Sequence, residues 1–550
     1  MNKLILLLIF ILAVSCTPPQ QEEAPGSAYD VVVYGGTSGG IAAALQAARM
    51  GKTVVLIEPY NRLGGLTTGG LGQTDIGNKQ AIGGISREFY QNIRTHYSDS
   101  TSWKWQARQN YIDGGQTRTE AGEDAMWTFE PSSALKVYED MLAAEEVDIV
   151  LGEKLNRESG LTKEGTEIRQ ISMEGGRTFS GKMFIDATYE GDLMAAAGVD
   201  YTVGREANAK YGETYNGVQL LEGHQFPDGI DPYVEPGKPE SGLLWGISEA
   251  SLAEQGSGDS LVQAYNFRIC LTDNPENQVA ITEPENYDAS RYELLVRLFE
   301  AQQDKRNVEQ YFIWSSMPNA KTDINNRGGF STDMINHSHN YTEASYQERE
   351  KIIKEHEDYT KGLLYFYTTD PRVPADLQQE VRRWGYPKDE YVENGHWSPQ
   401  LYVREARRML GEYVMTQANC VGEEVVEDVI GLAAYTMDSH NCQRIVVDGQ
   451  VKNEGNVEVG GFPPYPIAYR AITPKKEQVT NLLVPVALSA SHIAFGSIRM
   501  EPVFMVLGQS AATAAALAID AEVAVQEVDY AQLREKLLED QQVLLNNKSM

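Results

Sequence analysis

The stretch from Tyr29 to Glu58 constrains this chain more than any other. Tyr29-Asp-Val-Val-Val-Tyr34 is a short β-branched run, suited to a buried parallel strand. It enters the turn Gly35-Gly36-Thr37-Ser38-Gly39-Gly40 and then Ile41-Ala-Ala-Ala-Leu-Gln-Ala-Ala-Arg-Met50, a strong helix former that Gly51 stops. A second strand, Thr53 to Ile57, ends on Glu58. The order supplies a tight turn, backbone that can approach a pyrophosphate, a helix N-terminus facing that anion, and a carboxylate for a ribose hydroxyl. Glu58 follows Gly35 by 23 residues, close to the customary spacing of about 20. Thr37 stands where Gly-x-Gly-x-x-Gly has its middle glycine, so a side chain crowds the pyrophosphate while its hydroxyl can donate to it. Gly35, Gly36, Thr37, Ser38, Gly40 and Glu58 are therefore expected to bind a dinucleotide, and an acid at 58 argues against a 2′-phosphate.

The glycines of Asn61-Arg-Leu63-Gly64-Gly65-Leu-Thr67-Thr-Gly-Gly-Leu-Gly72 suit backbone lying against a large planar ligand, and flavin fits better than nicotinamide. A helix from about 134 to 144, a strand at 147–151 and polar hairpin material over 154–181 follow. Lys182 to Thr188 reads as another buried strand, ending in Asp186-Ala187-Thr188. Near the C-terminus, Asn481 to Val486 reads as a further strand of the same sheet. Gly508-Gln509 opens a small-residue stretch running to Ala518. Its helix N-terminus is expected at Gly508, aimed at the flavin so that free amides stabilise negative charge on the reduced ring. Tyr530 to Leu545 reads as an amphipathic helix.

Taken together, five stretches make the sequence resemble the FAD-dependent oxidoreductases with a glutathione-reductase-like FAD domain. They are Asp30 to Glu58, Leu63 to Gly70, Phe184 to Leu193, Tyr402-Val-Arg-Glu-Ala-Arg-Arg408, and Asn481 to Ala516. The nearest likeness is to a bacterial subgroup distantly similar to heterodisulfide reductase A-type flavoproteins. The resemblance implies FAD, held by the first three stretches and the last. It adds Leu63, Gly64, Gly65, Thr67, Asp186, Ala187, Thr188, Gly508 and Gln509 to the cofactor-binding set. The iron–sulfur partner of those relatives is not implied: Cys16, Cys270, Cys420 and Cys442 include no Cys-x-x-Cys pair. No metal site is expected, and His337 and His339, among asparagines, suit a turn. Cys420 and Cys442 can be read as one bridge or as two buried thiols.

The expected fold class is α/β: a doubly wound parallel-sheet FAD/NAD(P)-binding domain with a large inserted α+β substrate domain. Residues 29–200 form its first part, 201–480 the insertion, and 481–550 the second part with a C-terminal helix. Residues 1–15 read as a signal peptide, because the apolar run Leu4 to Val14 is too short to span a bilayer. Ser15-Cys16 resembles a lipoprotein box, so Cys16 is the expected lipidation site, with 16–28 a polar linker. This places the protein in the bacterial cell envelope, touching membrane only through its lipid anchor. A formal net charge of -31 repels nucleic acid and disfavours polyanionic substrates unless basic residues gather in one cleft.

Flavin chemistry needs a held substrate, a proton carrier and fixed charges. The candidate catalytic residues are His492 as acid or base, Arg499 to hold a carboxylate or oxyanion, and Glu501 to orient either. A structural histidine and an Arg499–Glu501 ion pair are the competing readings. Arg404, Glu405, Arg407 and Arg408 read as one helical turn of ion pairs. His440, beside Asp438, is a further proton-transfer candidate, Lys321 to Arg327 a polar substrate loop, and Trp245, Trp314, Tyr365 and Trp397 possible stacking surfaces. The expected activity is hydride exchange between flavin and a small or carbohydrate-like substrate, with an unidentified electron acceptor. The alternatives are a polysaccharide lyase or redox-assisted glycosidase without net electron transfer, and a non-catalytic surface binding protein.

Overall fold

A computed structural model describes residues 27–115 and 117–545. The signal-peptide segment and Cys16 lie outside the described residues. Strand β1 (Ser27–Tyr34) leads through the glycine turn into helix α1 (Ser38–Arg49) and strand β2 (Val54–Glu58). Strand β3 (Val147–Leu151) follows a helix at Pro131–Ala143, and β4 (Leu161–Glu164), β5 (Glu167–Ser172) and β6 (Thr178–Asp186) complete the first third. The sheet runs β3-β2-β1-β6-β5-β4, and Leu482–Leu483 pairs with β6. Pairings among β3, β2, β1 and β6, and that of Leu482–Leu483, are parallel; β4–β5–β6 is an antiparallel ribbon.

Alternation along the strands divides the core. Val31, Val33, Val54, Leu56 and Ile185 face α1 and the long helix Glu501–Ala521. Val32, Tyr34, Val55, Ile57 and Phe184 face Leu155, Ile168, Ile171 and Leu193. The α/β class with a parallel-sheet core is as expected; the second face, however, is covered mainly by the antiparallel ribbon and not by helices. At roughly 1.5–3 kcal/mol per fully buried aliphatic side chain, these two faces supply much of the driving force for this part of the fold.

The Glu501–Ala521 helix passes close enough to α1 that glycine is needed. A Cβ on Gly508 would stand 2.0 Å from the Gly39 carbonyl oxygen. This helix corrects the expected start at Gly508: it begins seven residues earlier, with Pro502 in its first turn, and Gly508 is an interior packing position. Gln509 likewise serves packing, its side-chain oxygen accepting from the Ile85 amide at 2.8 Å.

One further large core lies beyond the sheet, gathering aromatics from Phe226 to Trp397, including Tyr292, Phe312, Tyr359 and Phe366, around the helix Tyr346–Thr369 and the hairpin Phe312–Met317/Lys321–Asn326. Residues from Met415 to Ile472 instead share the core of α1 and the long helix. Chain connectivity and core membership thus part company well before residue 481. Cys270, Cys420 and Cys442 are buried free thiols.

Candidate active site

The nucleotide turn is built by close approach. Gly35 has φ +105, and a Cβ there would meet the Ala187–Thr188 peptide at 2.6 Å; a Cβ on Gly40 would lie 1.8 Å from the Gly35 oxygen. Thr37 caps α1 by accepting from the Gly40 amide at 3.3 Å and donates to the Ala187 oxygen at 2.7 Å. Its hydroxyl is therefore turned into the protein, tying the ends of β1 and β6 together. Asp186 holds the far side of this turn, accepting from the Thr188 amide and hydroxyl and the Met194 amide at 3.0, 2.7 and 2.8 Å. Burial lifts its carboxyl to about 6.

Glu58 accepts from the Gly36 amide at 2.7 Å and the Tyr60 amide at 2.9 Å, and burial, with Glu190 nearby, lifts its carboxyl to about 7. Gly64 donates to the Gly36 oxygen at 2.7 Å, laying the second glycine stretch against the first, and Leu63 packs on Gly36. An outer cavity bordered by Tyr60, Arg62, Gly65, Glu190 and Tyr341 opens beside Glu58.

An inner cavity is lined by Tyr189, Tyr402, Arg404, Phe495, Arg499, Glu501 and Phe504. Glu501 stands in the first turn of its helix, and Ser38, Thr67 and Tyr189 all donate hydroxyl hydrogens to its carboxylate. Ser38 is the first residue of α1, so two helix N-termini converge on one buried carboxylate. Burial raises that carboxyl above its ordinary range. Arg499 is not its partner: it donates to Asp438 at 3.0 Å and to the Tyr402 hydroxyl at 2.9 Å.

His492 is nearly fully buried, with Glu405 2.7 Å from Nδ1 and Ser439 3.0 Å from Nε2. Both ring nitrogens are engaged at hydrogen-bond distance, and neither it nor His440 lines the inner cavity itself. His440 is placed differently. Its Nδ1 lies 2.9 Å from Asp333, and its Nε2 lies 3.5 Å from the same Asp438 oxygen that Arg499 contacts. Burial alone would raise the Asp438 carboxyl, but His440, Arg499 and Arg404 together hold it well below the usual carboxylate range.

Residues 402–407 form no helical turn, and successive side chains go to different partners. Arg404 meets Asp333, Glu405 meets His492, Arg407 meets Asp192 and Glu343, and Arg408 meets Glu206 and Glu405. The ion-pair network is present without the helix. Lys321 to Asn326 is a strand, not a loop; Lys321 is buried among Glu130, Glu390 and Asp389 at 2.7, 2.7 and 2.9 Å. Trp245 stacks on His337, and Trp397 packs edge-on against Phe267 and Tyr386. Asp333 escaped the sequence reading, since nothing local marks it among its polar neighbours.

A flavin dinucleotide fits this chain's donor set: a carboxylate at the ribose end, a turn that only glycine can make, and two converging helix ends. A family model described as FAD dependent oxidoreductase matches residues 30–537. A search of curated proteins finds no match. Among solved structures, the chain is similar to T. acidophilum thioredoxin reductase at 19% identity, covering 29% of this chain and 34% of that one, with a TM-score of 0.17. It is similar to the OxyS anhydrotetracycline hydroxylase of Streptomyces rimosus at 12% identity, covering 39% of each chain, with a TM-score of 0.22. For L-proline dehydrogenase from P. horikoshii the identity is 16%, covering 33% of this chain and 59% of that one, with a TM-score of 0.23. The chain thus spans less than two thirds of each of these proteins, and none of the three bears on its substrate. The match over residues 30–537, on a chain whose turn, acid and helix ends form the cradle described, makes this protein a member of the FAD-dependent oxidoreductase family, with FAD as its cofactor.

Proposed function

We propose that the protein exchanges hydride between its flavin and a small or carbohydrate-like substrate, and that His440 carries the accompanying proton. Bound FAD supplies the two-electron chemistry. Asp333 orients the His440 ring through Nδ1 and leaves Nε2 facing Asp438 and Arg499, the arrangement of an acid–base histidine with its orienting carboxylate. Arg499 links this dyad to the cavity wall, and that juxtaposition carries the reading. His492 acts at one remove, fixing Glu405 and through it Gln263, whose amide contacts the His440 backbone.

The test is anaerobic reduction of the FAD-loaded protein by a panel of alcohols, sugars and acids. His440→Asn should slow reduction by about 100-fold or more while FAD stays bound. Equal rates in the two proteins would refute the assignment. An unsaturated sugar product without flavin reduction would favour the lyase alternative. We further propose that the protein is exported and lipidated at Cys16, on the sequence pattern alone, with an electron acceptor in the envelope. Loss of the lipid mass from a Cys16→Ser protein would support this.

A further inference from the structure

The outer cavity has an uneven rim. Tyr60, Arg62 and Gly65 follow strand β2, and Glu393 and Asn394 border the same space from the inserted region. The segment carrying those two residues is pinned at both ends. Glu390 accepts from the Ser132 amide and hydroxyl at 2.9 and 2.7 Å and from Lys321 at 2.7 Å, and Ser398 donates to the Gly69 oxygen at 2.6 Å. Between the pins the chain stands in solvent: Val392 is 65% exposed and the Glu393 side chain 54%. Tyr391 and His396 flank this span at φ +49 and +68, a region costly for any residue with a side chain. The span is also bonded to itself, the Asn394 and His396 amides both donating to the Tyr391 oxygen at 2.9 Å, so it is fit to move as one piece. Glu393 fastens it to Arg62 at 2.6 Å, and the Arg62 guanidinium lies 5.0 Å from the Tyr391 ring centroid.

The outer and inner cavities measure about 260 and 10 Å³. Pockets for drug-sized ligands run to roughly 300–1,000 Å³, and FAD is larger than such ligands, so a wall of the cradle must yield as it enters. Strands β1 and β2 and helix α1 are buried almost throughout and cannot yield cheaply. A solvent-exposed span fastened across the rim by an exposed ion pair can. We propose that residues 391–396 form a flap that opens to admit and release FAD, with Arg62–Glu393 as its latch and the left-handed positions Tyr391 and His396 as its hinges. Neither the substrate nor His440 enters this step.

Flavin fluorescence follows FAD leaving the loaded protein on dilution and returning when FAD is added back. A gate sets the speed in both directions, so loosening it raises both rates and leaves Kd nearly unchanged, whereas losing a contact to the ligand raises release alone. Glu393→Asp keeps the charge and shortens the reach to Arg62. It should raise capture and release together about threefold to fivefold, with Kd held within about twofold. Glu393→Gln should raise release equally and capture somewhat more, because one negative charge fewer meets an anionic ligand. Unchanged rates in both variants overturn the flap. Faster release without faster capture also overturns it and makes Glu393 a contact of the cofactor. Faster capture without faster release overturns it in favour of simple charge repulsion.

Discussion

The Tyr189 hydroxyl lies 2.7 Å from Oε1 of Glu501 and also accepts from the Leu66 amide at 2.9 Å. A Cβ on Gly65 would stand 2.3 Å from the same hydroxyl, so Tyr189 separates the outer cavity beside Glu58 from the inner one. Removing the acceptor should cost more than removing one donor. Glu501→Ala removes the carboxylate acceptor shared by three buried hydroxyls and is expected to lose about 2–3 kcal/mol, while Tyr189→Phe loses about 1 kcal/mol. Denaturant unfolding of the FAD-free proteins measures both, and FAD titration should rank them in the same order.

Gly508 gives a steric prediction. Its hypothetical Cβ would collide with backbone, which cannot rotate aside as a side chain can. Gly508→Ala should destabilise by about 1–3 kcal/mol despite the better helix propensity of alanine, and should loosen FAD by displacing Ser38 from Glu501. A melting temperature equal to that of the parent would contradict this contact.

Glu58 makes stability depend on pH in a definite direction. Its carboxyl rises from 4.5 to about 7 on folding, and that of Asp186 from 3.8 to about 6. A raised acid contributes stability that is complete below its unfolded value and is lost as pH climbs through the folded one. The FAD-free protein should therefore weaken between pH 4.5 and 7 through Glu58, by on the order of 3 kcal/mol. Glu58→Gln should flatten that part of the curve in unfolding experiments run across this range.

Lys321 is the only cation in direct contact with the carboxylates of Glu130 and Glu390 among the described residues. Lys321→Met should cost about 3–5 kcal/mol, because it strands buried negative charge. Adding Glu390→Gln to that variant should recover part of the loss, whereas purely additive effects would show that the pair is not coupled.

The dinucleotide half was legible because its signals are local. Val31 to Val33, the glycines and Glu58 each act within a few residues of their neighbours, and the parallel register follows from them. The polar site was legible only in fragments. His440 and Asp333 are 107 residues apart, and Lys321 and Glu130 are 191 apart, so no spacing announces either pair. The misplaced helix start has a simple cause: Gly508 resembles a terminus because glycine is a poor helix former, yet here it relieves crowding against Gly39. Pro502 was the better marker. The run Tyr402 to Arg408 misled through the four-residue spacing of Arg404 and Arg408, which fits a helix as readily as it fits the non-helical path it takes.

Ser38 and Glu501 are separated by 463 positions, yet together they form one wall of the cofactor cradle. During synthesis the glycine turn emerges 463 residues before its counterpart exists. Flavin capture is consequently closed only once the Glu501–Ala521 helix has been made. A product that stops short of the Glu501–Ala521 helix would carry the nucleotide turn and lack the wall that closes the cradle.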